Sequence, residues 1–120
     1  MSVRRPVRLG RPALNKYGAR RVKVGDQVFA SGAEAARYRQ LLLLERAGAI
    51  SGLVLQPSWV FEVNGVRIGR YTADFMYREH GAGIVVEDVK STATRRARDY
   101  PLRKKLLRAL FGIEVTEILK

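Results

Sequence analysis

The chain contains no cysteine and a single histidine, His80. The first absence excludes disulfides, thiol nucleophiles and Cys-ligated zinc. The second argues against a histidine-based metal site or a Ser/His/Asp triad. Any chemistry therefore falls to carboxylates, lysine, hydroxyls or a bound hard cation. Long apolar runs are also missing. The longest, Leu41–Leu44, is far shorter than a membrane span, and the basic N-terminus lacks the apolar block of a secretion signal. A cytoplasmic place, in a bacterium or a phage-infected host cell, with no membrane partner, is the expectation. Acidic residues are scarce: 11 Asp+Glu stand against 23 Lys+Arg, a net charge of +12. A field of that sign attracts polyanions, nucleic acid first among them.

A length of 120 residues fits one domain with one core. The basic residues are unevenly placed. Arg4, Arg5, Arg8, Arg11, Lys16, Arg20, Arg21 and Lys23 fill residues 1–25 with no acid among them. Lys90, Arg95, Arg96, Arg98, Arg103, Lys104, Lys105 and Arg108 fill residues 90–108 against Asp99 alone. Two basic blocks around a mixed-charge body suggest an arm and a patch. Residues 1–15, with Pro6, Gly10 and Pro12 and no periodicity, read as a flexible basic arm, and residues 16–120 as a single domain.

Two short strands, about 20–24 and 27–30, flank Gly25-Asp26. Ser31 and Glu34 then form the S-x-x-E pattern that starts a helix, and Gly48 is expected to end it. Strand pieces follow at 53–55 and 59–63, broken at Pro57. Asn64-Gly65 is a hairpin turn, and 66–68, 71–77 and 84–90 return as strands. Pro101 opens a second helix with a Leu102–Leu106–Ala109/Leu110 face, Gly112 stops it, and 113–118 closes as a strand. The fold class is α/β: helix, three strands, helix, strand, with a mixed sheet flanked by helices and a short hairpin in front. The strand–helix–strand tail implies a right-handed parallel crossover.

Side chains alternate along a strand. In "IVVEDVKST", residues 84–92, Asp88 and Lys90 share a face with Ile84 and Val86, and Glu87 lies on the other. Charges seated in a strand this apolar need compensation, either as an ion pair or by a cation on Asp88 with Lys90 facing an anionic substrate. Asp74 sits among apolar neighbours in "YTADFMY". Pairing antiparallel to 84–90, that strand brings Asp74 toward Asp88. Glu34, early in the first helix, could reach the same spot. Glu34 also reads as a capping-box acid, Asp74 as a turn-adjacent or ion-paired residue, Asp88–Lys90 as a structural pair, and Glu87 replaces Asp88 if the register slips by one.

The ordered set Glu34, Asp74, Asp88-Val89-Lys90 resembles the PD-(D/E)xK nuclease superfamily. "SGAEAARYRQLL", "ADF" and "VVEDVKST" more specifically resemble archaeal-type Holliday junction resolvases and related small phage endonucleases, over most of residues 16–118. Ala73 stands where that family usually has Pro, and Asp88 where Glu is commoner. The resemblance implies a restriction-endonuclease-like α-β-β-β-α-β core and a metal-dependent endodeoxyribonuclease. Asp74, Asp88 and the Val89 carbonyl would ligate Mg²⁺, with Mn²⁺ able to substitute. Glu34 would be a further ligand or hold a water, and Lys90 would orient or deprotonate the attacking water or offset transition-state charge. It also implies branched DNA, chiefly four-way junctions, as substrate and a homodimer that cuts two strands. A nicking or linear-duplex nuclease, and a non-catalytic DNA-binding protein, are the alternatives. Arg20, Arg21, Ser31, Thr92, Thr94, Arg95, Arg96, Arg98, Lys104 and Arg108 are the candidate DNA contacts. Ser31 reads first as the N-cap and second as a site hydroxyl. Tyr100, Trp59 and Phe61 read as core before base-stacking groups, Trp59 and Phe61 also as a dimer interface.

Overall fold

The computed structural model describes residues 21–90 and 99–119. The expected arm, Arg20, and the loop candidates Thr92, Thr94, Arg95, Arg96 and Arg98 lie outside them. By contacts the chain divides into two compact units, Met1–Arg39 and Gln40–Lys120. In the first, β1 (Val22–Val24) pairs antiparallel with β2 (Gln27–Phe29), as the Gly25-Asp26 punctuation predicts. Helix α1 (Gly32–Arg46) starts behind Ser31, whose Oγ accepts the Glu34 N–H at 3.2 Å. The S-x-x-E reading is therefore correct about the cap. Phe29 is buried, and its ring lies 4.9 Å from that of Tyr38.

The second unit holds a mixed sheet of four strands in the order β3 (Ile50–Leu55), β6 (Phe75–Glu79), β7 (Gly83–Lys90) and β8 (Val115–Leu119). The first three run antiparallel, and β8 lies parallel to β7. Helix α2 (Tyr100–Phe111) connects those two strands, the crossover that the apolar pattern predicts. Between β3 and β6 the chain makes a separate two-stranded ribbon, β4 (Ser58–Val63) and β5 (Val66–Thr72), turned at Asn64-Gly65. Both turn residues have positive φ, 50° and 81°, as a two-residue hairpin of this type requires. Three strands were expected in this stretch and five form. The run 71–77 is not continuous: Ala73 and Asp74 separate β5 from β6.

One core cluster of this unit is Phe61, Tyr71, Ala73, Val86, Tyr100 and Leu107, with Trp59, Met76, Leu106, Ile113 and Val115 packed around it; Leu41, Ile50, Phe75 and Tyr77 are buried as well. Trp59 and Phe61 thus serve the core. One face of the ribbon and one face of α2 pack together with Val86 of the sheet. Helix α2 buries Tyr100 and Leu107, while Leu102 is 59% exposed. The expected Leu102–Leu106–Ala109/Leu110 face is therefore rotated. The tyrosine, with more apolar area than a leucine, takes the inward place at the helix start. Gly112, at φ 71°, ends α2 by donating its N–H to the Arg108 carbonyl at 2.8 Å.

Truncating Phe61, fully buried in the middle of the ribbon, should destabilise the fold by about 3–5 kcal/mol in Phe61→Ala. Val66→Thr, at an exposed ribbon position, should cost under about 0.5 kcal/mol. Urea unfolding of both variants checks the difference.

Candidate functional site

Strand β7 lies between β6 and β8, so neither of its edges is open. Of its apolar start only Val86 is buried, Ile84 being 56% exposed, and Glu87 and Asp88 follow at 1% exposure each. The register pairs Phe75 with Glu87. One step further on, Asp74 stands beside Asp88. Their main chains and side chains interlock. The Asp74 N–H donates to Asp88 Oδ1 at 3.0 Å, and the Val89 N–H donates to Asp74 Oδ2 at 2.7 Å. The Asp74 N–H also lies 3.1 Å from the Glu87 carbonyl, and the Asp74 carbonyl accepts the Gln56 N–H at 2.9 Å. Gln56 adopts φ 54° to do so, a conformation uncommon for a residue with a side chain. Asp74 is therefore held from both neighbouring strands.

Lys90 Nζ lies 3.6 Å from Asp88 Oδ2, and the Tyr71 hydroxyl donates to the same oxygen. Burial pushes the Asp88 carboxyl up from its ordinary value. Lys90, the Tyr71 hydroxyl and the Asp74 amide pull the other way without cancelling it. Burial and the Asp88 carboxylate together hold the Tyr71 phenol protonated. The phenol is a fixed donor in this pair.

Beyond Lys90 stands Tyr100, its ring centroid 4.4 Å from Nζ. Its hydroxyl donates to Glu117 Oε2 at 2.6 Å, and Lys104 Nζ lies 3.0 Å from the same oxygen. Burial and Glu117 raise the Tyr100 phenol well above its usual range. Lys104 and Arg108 border a cleft of about 600 Å³ between α2 and β8. Both face acids there: Lys104 meets Glu117, and Arg108 Nε lies 3.5 Å from Glu114.

The structure thus brings together Asp74, Asp88, Val89 and Lys90. Val89 meets Asp74 through its N–H. Glu87 points to the other face of β7, where its carboxylate accepts the Tyr77 hydroxyl. Glu34 and Ser31 belong to the first compact unit, as does Arg21, which is exposed. Among the described residues no group of three acidic or histidine side chains is gathered in a form that could hold a metal. The pair Asp74 and Asp88 nonetheless suits Mg²⁺ in its donor chemistry. That ion prefers hard oxygens and is commonly held by one or two carboxylates, completed by water and substrate phosphate. Tyr71, Tyr100 and Glu117 are the site residues that strand alternation and spacing missed. Tyr71 is 17 residues from Asp88, as Tyr100 is from Glu117, beyond any local pattern. The signal for Tyr71 was its place in the strand run that leads into Asp74.

With this geometry in place, comparison with known families is informative. Residues 14–119 match the model of a family described as a protein of unknown function, DUF1064. The chain belongs to the DUF1064 family. No curated protein and no solved structure matches it. For this DUF1064 chain the site geometry is the ground for a functional reading.

Two outcomes follow from the buried carboxylate. Tyr71→Phe removes a donor from a desolvated acid and should cost about 1–3 kcal/mol of stability at pH 7, read by urea unfolding. The second concerns pH. A carboxyl whose folded pKa lies above its unfolded value binds its proton more tightly when folded. Stability without added cation should therefore rise as pH falls from neutrality toward the ordinary carboxylate range. Unfolding free energies of wild type and Asp88→Asn, measured from pH 8 downward, should converge on the acid side.

Proposed function

We propose that this protein is a Mg²⁺-dependent endodeoxyribonuclease that cuts phosphodiester bonds in branched DNA, four-way junctions above all, and acts as a homodimer. The observation that carries the reading is the interlocked pair. Asp74 and Asp88 are fixed by amides at 3.0 and 2.7 Å, and an ammonium stands 3.6 Å from Asp88. Two carboxylates with an adjacent lysine, on the buried end of a central strand, are poor structural economy unless something occupies them.

The order of elements along the chain supports it. Helix α1, strands β3, β6 and β7, helix α2 and strand β8 follow the α-β-β-β-α-β order expected from the resemblance, with the β4–β5 ribbon inserted. Net charge +12 supports a polyanionic partner.

In this reading Asp74 and Asp88 hold the cation. When bound, it lowers the pKa of water and neutralises charge developing on phosphate oxygens. The Asp74 and Val89 amides keep the two carboxylates from reorganising as charge shifts. Tyr71 keeps Asp88 Oδ2 in place and donates no proton. Lys90 Nζ presents its N–H donors to an anionic oxygen of the scissile phosphate or to the attacking water. Lys104, Arg108 and the basic residues of 1–25 and 91–98 supply phosphate contacts, which set affinity rather than sequence preference. A junction has two strands to cut, and a two-fold dimer presents two such sites.

The test uses the full chain with a four-way junction, a plain duplex and single strands, with Mg²⁺ or EDTA. Selective cutting of the junction in Mg²⁺ alone is expected. Asp88→Ala should abolish it, and Lys90→Ala should slow it about 10²–10³-fold, each with junction binding retained at the same salt. Indifferent cutting would make the protein a nicking or linear-duplex nuclease. Binding without cutting, unchanged in Asp88→Ala, would make it a DNA-binding protein without this chemistry. A light-scattering mass of one chain in the absence of DNA would count against the dimer.

A further inference from the structure

We propose that Tyr100 is a positioning residue for Lys90, its ring holding the ammonium at the Asp74–Asp88 site. This rests on the nuclease reading and adds to it a residue that acts through the lysine.

Lys90 ends β7 with a side chain only 13% exposed. A lysine has four rotatable carbons and about 2 kcal/mol of rotamer entropy. A position useful to a reacting phosphate needs more than one contact. Asp88 supplies one, at 3.6 Å, and the Tyr100 ring supplies the other, with its centroid 4.4 Å from Nζ. The choice of an aromatic face has a chemical consequence. A second carboxylate would take up the ammonium's N–H donors and add negative charge where a phosphate must approach. A ring face attracts the cation through its quadrupole and brings no formal charge.

The ring is itself fixed. Tyr100 is 5% exposed, and its hydroxyl donates to Glu117 Oε2 at 2.6 Å. Its ring lies 6.5 Å from that of Tyr71, the residue that holds Asp88. Lys104 Nζ stands 5.3 Å from the same ring and 3.0 Å from Glu117. Pro101 restricts the backbone directly after it. A tyrosine serving only as core would turn its faces to apolar neighbours. This one meets two ammonium groups.

The experiment has two arms on the full chain. In the first, the ε-methylene protons of Lys90, assigned by their loss in Lys90→Arg, are followed by NMR. They should lie upfield of other lysines through the ring current, stay there in Tyr100→Phe and Tyr100→Trp, and return in Tyr100→Leu. In the second, single-turnover cleavage of a four-way junction in Mg²⁺ should slow about tenfold in Tyr100→Leu, the size of a partly desolvated cation–π contact. Junction affinity should hold, and Tyr100→Phe, which keeps the ring, should retain most of the rate. In a Lys90→Ala background, Tyr100→Leu should cost nothing further.

Unshifted Lys90 protons in the wild type would overturn the inference. So would independent, multiplying effects of the two substitutions, or a loss in Tyr100→Phe as large as in Tyr100→Leu. Should Tyr100→Leu fail to fold, the wild-type shift and the Phe and Trp variants still decide. If the wild type cuts no DNA, the nuclease reading falls, and the NMR arm alone decides whether Tyr100 holds Lys90.

Discussion

An ionisable carboxyl buried to 1% exposure on a central strand is the constraint around which this unit is organised. Removing a carboxylate from water costs several kcal/mol even after relaxation, so Asp88 has to be met by donors from elsewhere in the chain. Three meet it, each from a different direction. The Asp74 amide comes from the segment before β6, the Tyr71 hydroxyl from the ribbon, and the Lys90 ammonium from β7 itself. The pairing of β6 with β7, the docking of the ribbon and the placement of the Lys90 side chain are thereby tied to one oxygen pair. A shift in any of the three would leave a buried charge with fewer partners.

The compensation is incomplete, as the raised pKa of Asp88 shows: burial outweighs the three favourable contacts. A residue chosen for stability at this position would be an apolar one, continuing Val85 and Val86. Stability given up at a fixed, preorganised site is the usual mark of function. The same logic explains Gln56. Its positive φ lets its amide reach the Asp74 carbonyl, so backbone strain of order 1 kcal/mol holds the second acid in place. Strain on one side of the pair and desolvation on the other serve a single arrangement.

Much of this was legible in the chain because it depends on local alternation. Asp88 and Lys90 on one face and Glu87 on the other follow from the period of a strand. The approach of Asp74 follows from an antiparallel return through a glycine-rich turn. The cap at Ser31 and the hairpin at Asn64-Gly65 are read from single residues with one physical use. Other features depend on distant surroundings and were not legible. The break at Ala73–Asp74 leaves no trace in an apolar run, because what interrupts the strand is hydrogen bonding to Pro57, Gln56 and Glu87. The buried face of α2 was misplaced because leucine spacing alone ranks Leu102 with Leu106, whereas Tyr100 and Leu107 pack against the ribbon and Val86. Tyr71 and Glu117 acquire their roles only through contacts 17 residues away.

The neighbouring acids Glu87 and Asp88 show how register turns like residues to different uses. Both are buried, both accept a tyrosine hydroxyl, and one bond in the chain separates their residues. A slip of one position would exchange them. The ladder prevents it. Phe75 faces Glu87 and Met76 faces Val86, and Met76 and Val86 both pack with the core under α2. Slipping the strand would carry Val86 out of that core and drive a carboxylate in. The apolar part of β7 thus fixes which acid meets Asp74. On the other side β8 runs parallel to β7, with Glu117 opposite Asp88 in register, yet the Glu117 carboxylate is taken up by Tyr100 and Lys104. Two acids adjacent to Asp88, one along the strand and one across it, are each occupied by another partner. The hydrophobic pattern and the tyrosines together single out Asp74 and Asp88 as the carboxylates that share a site with Lys90.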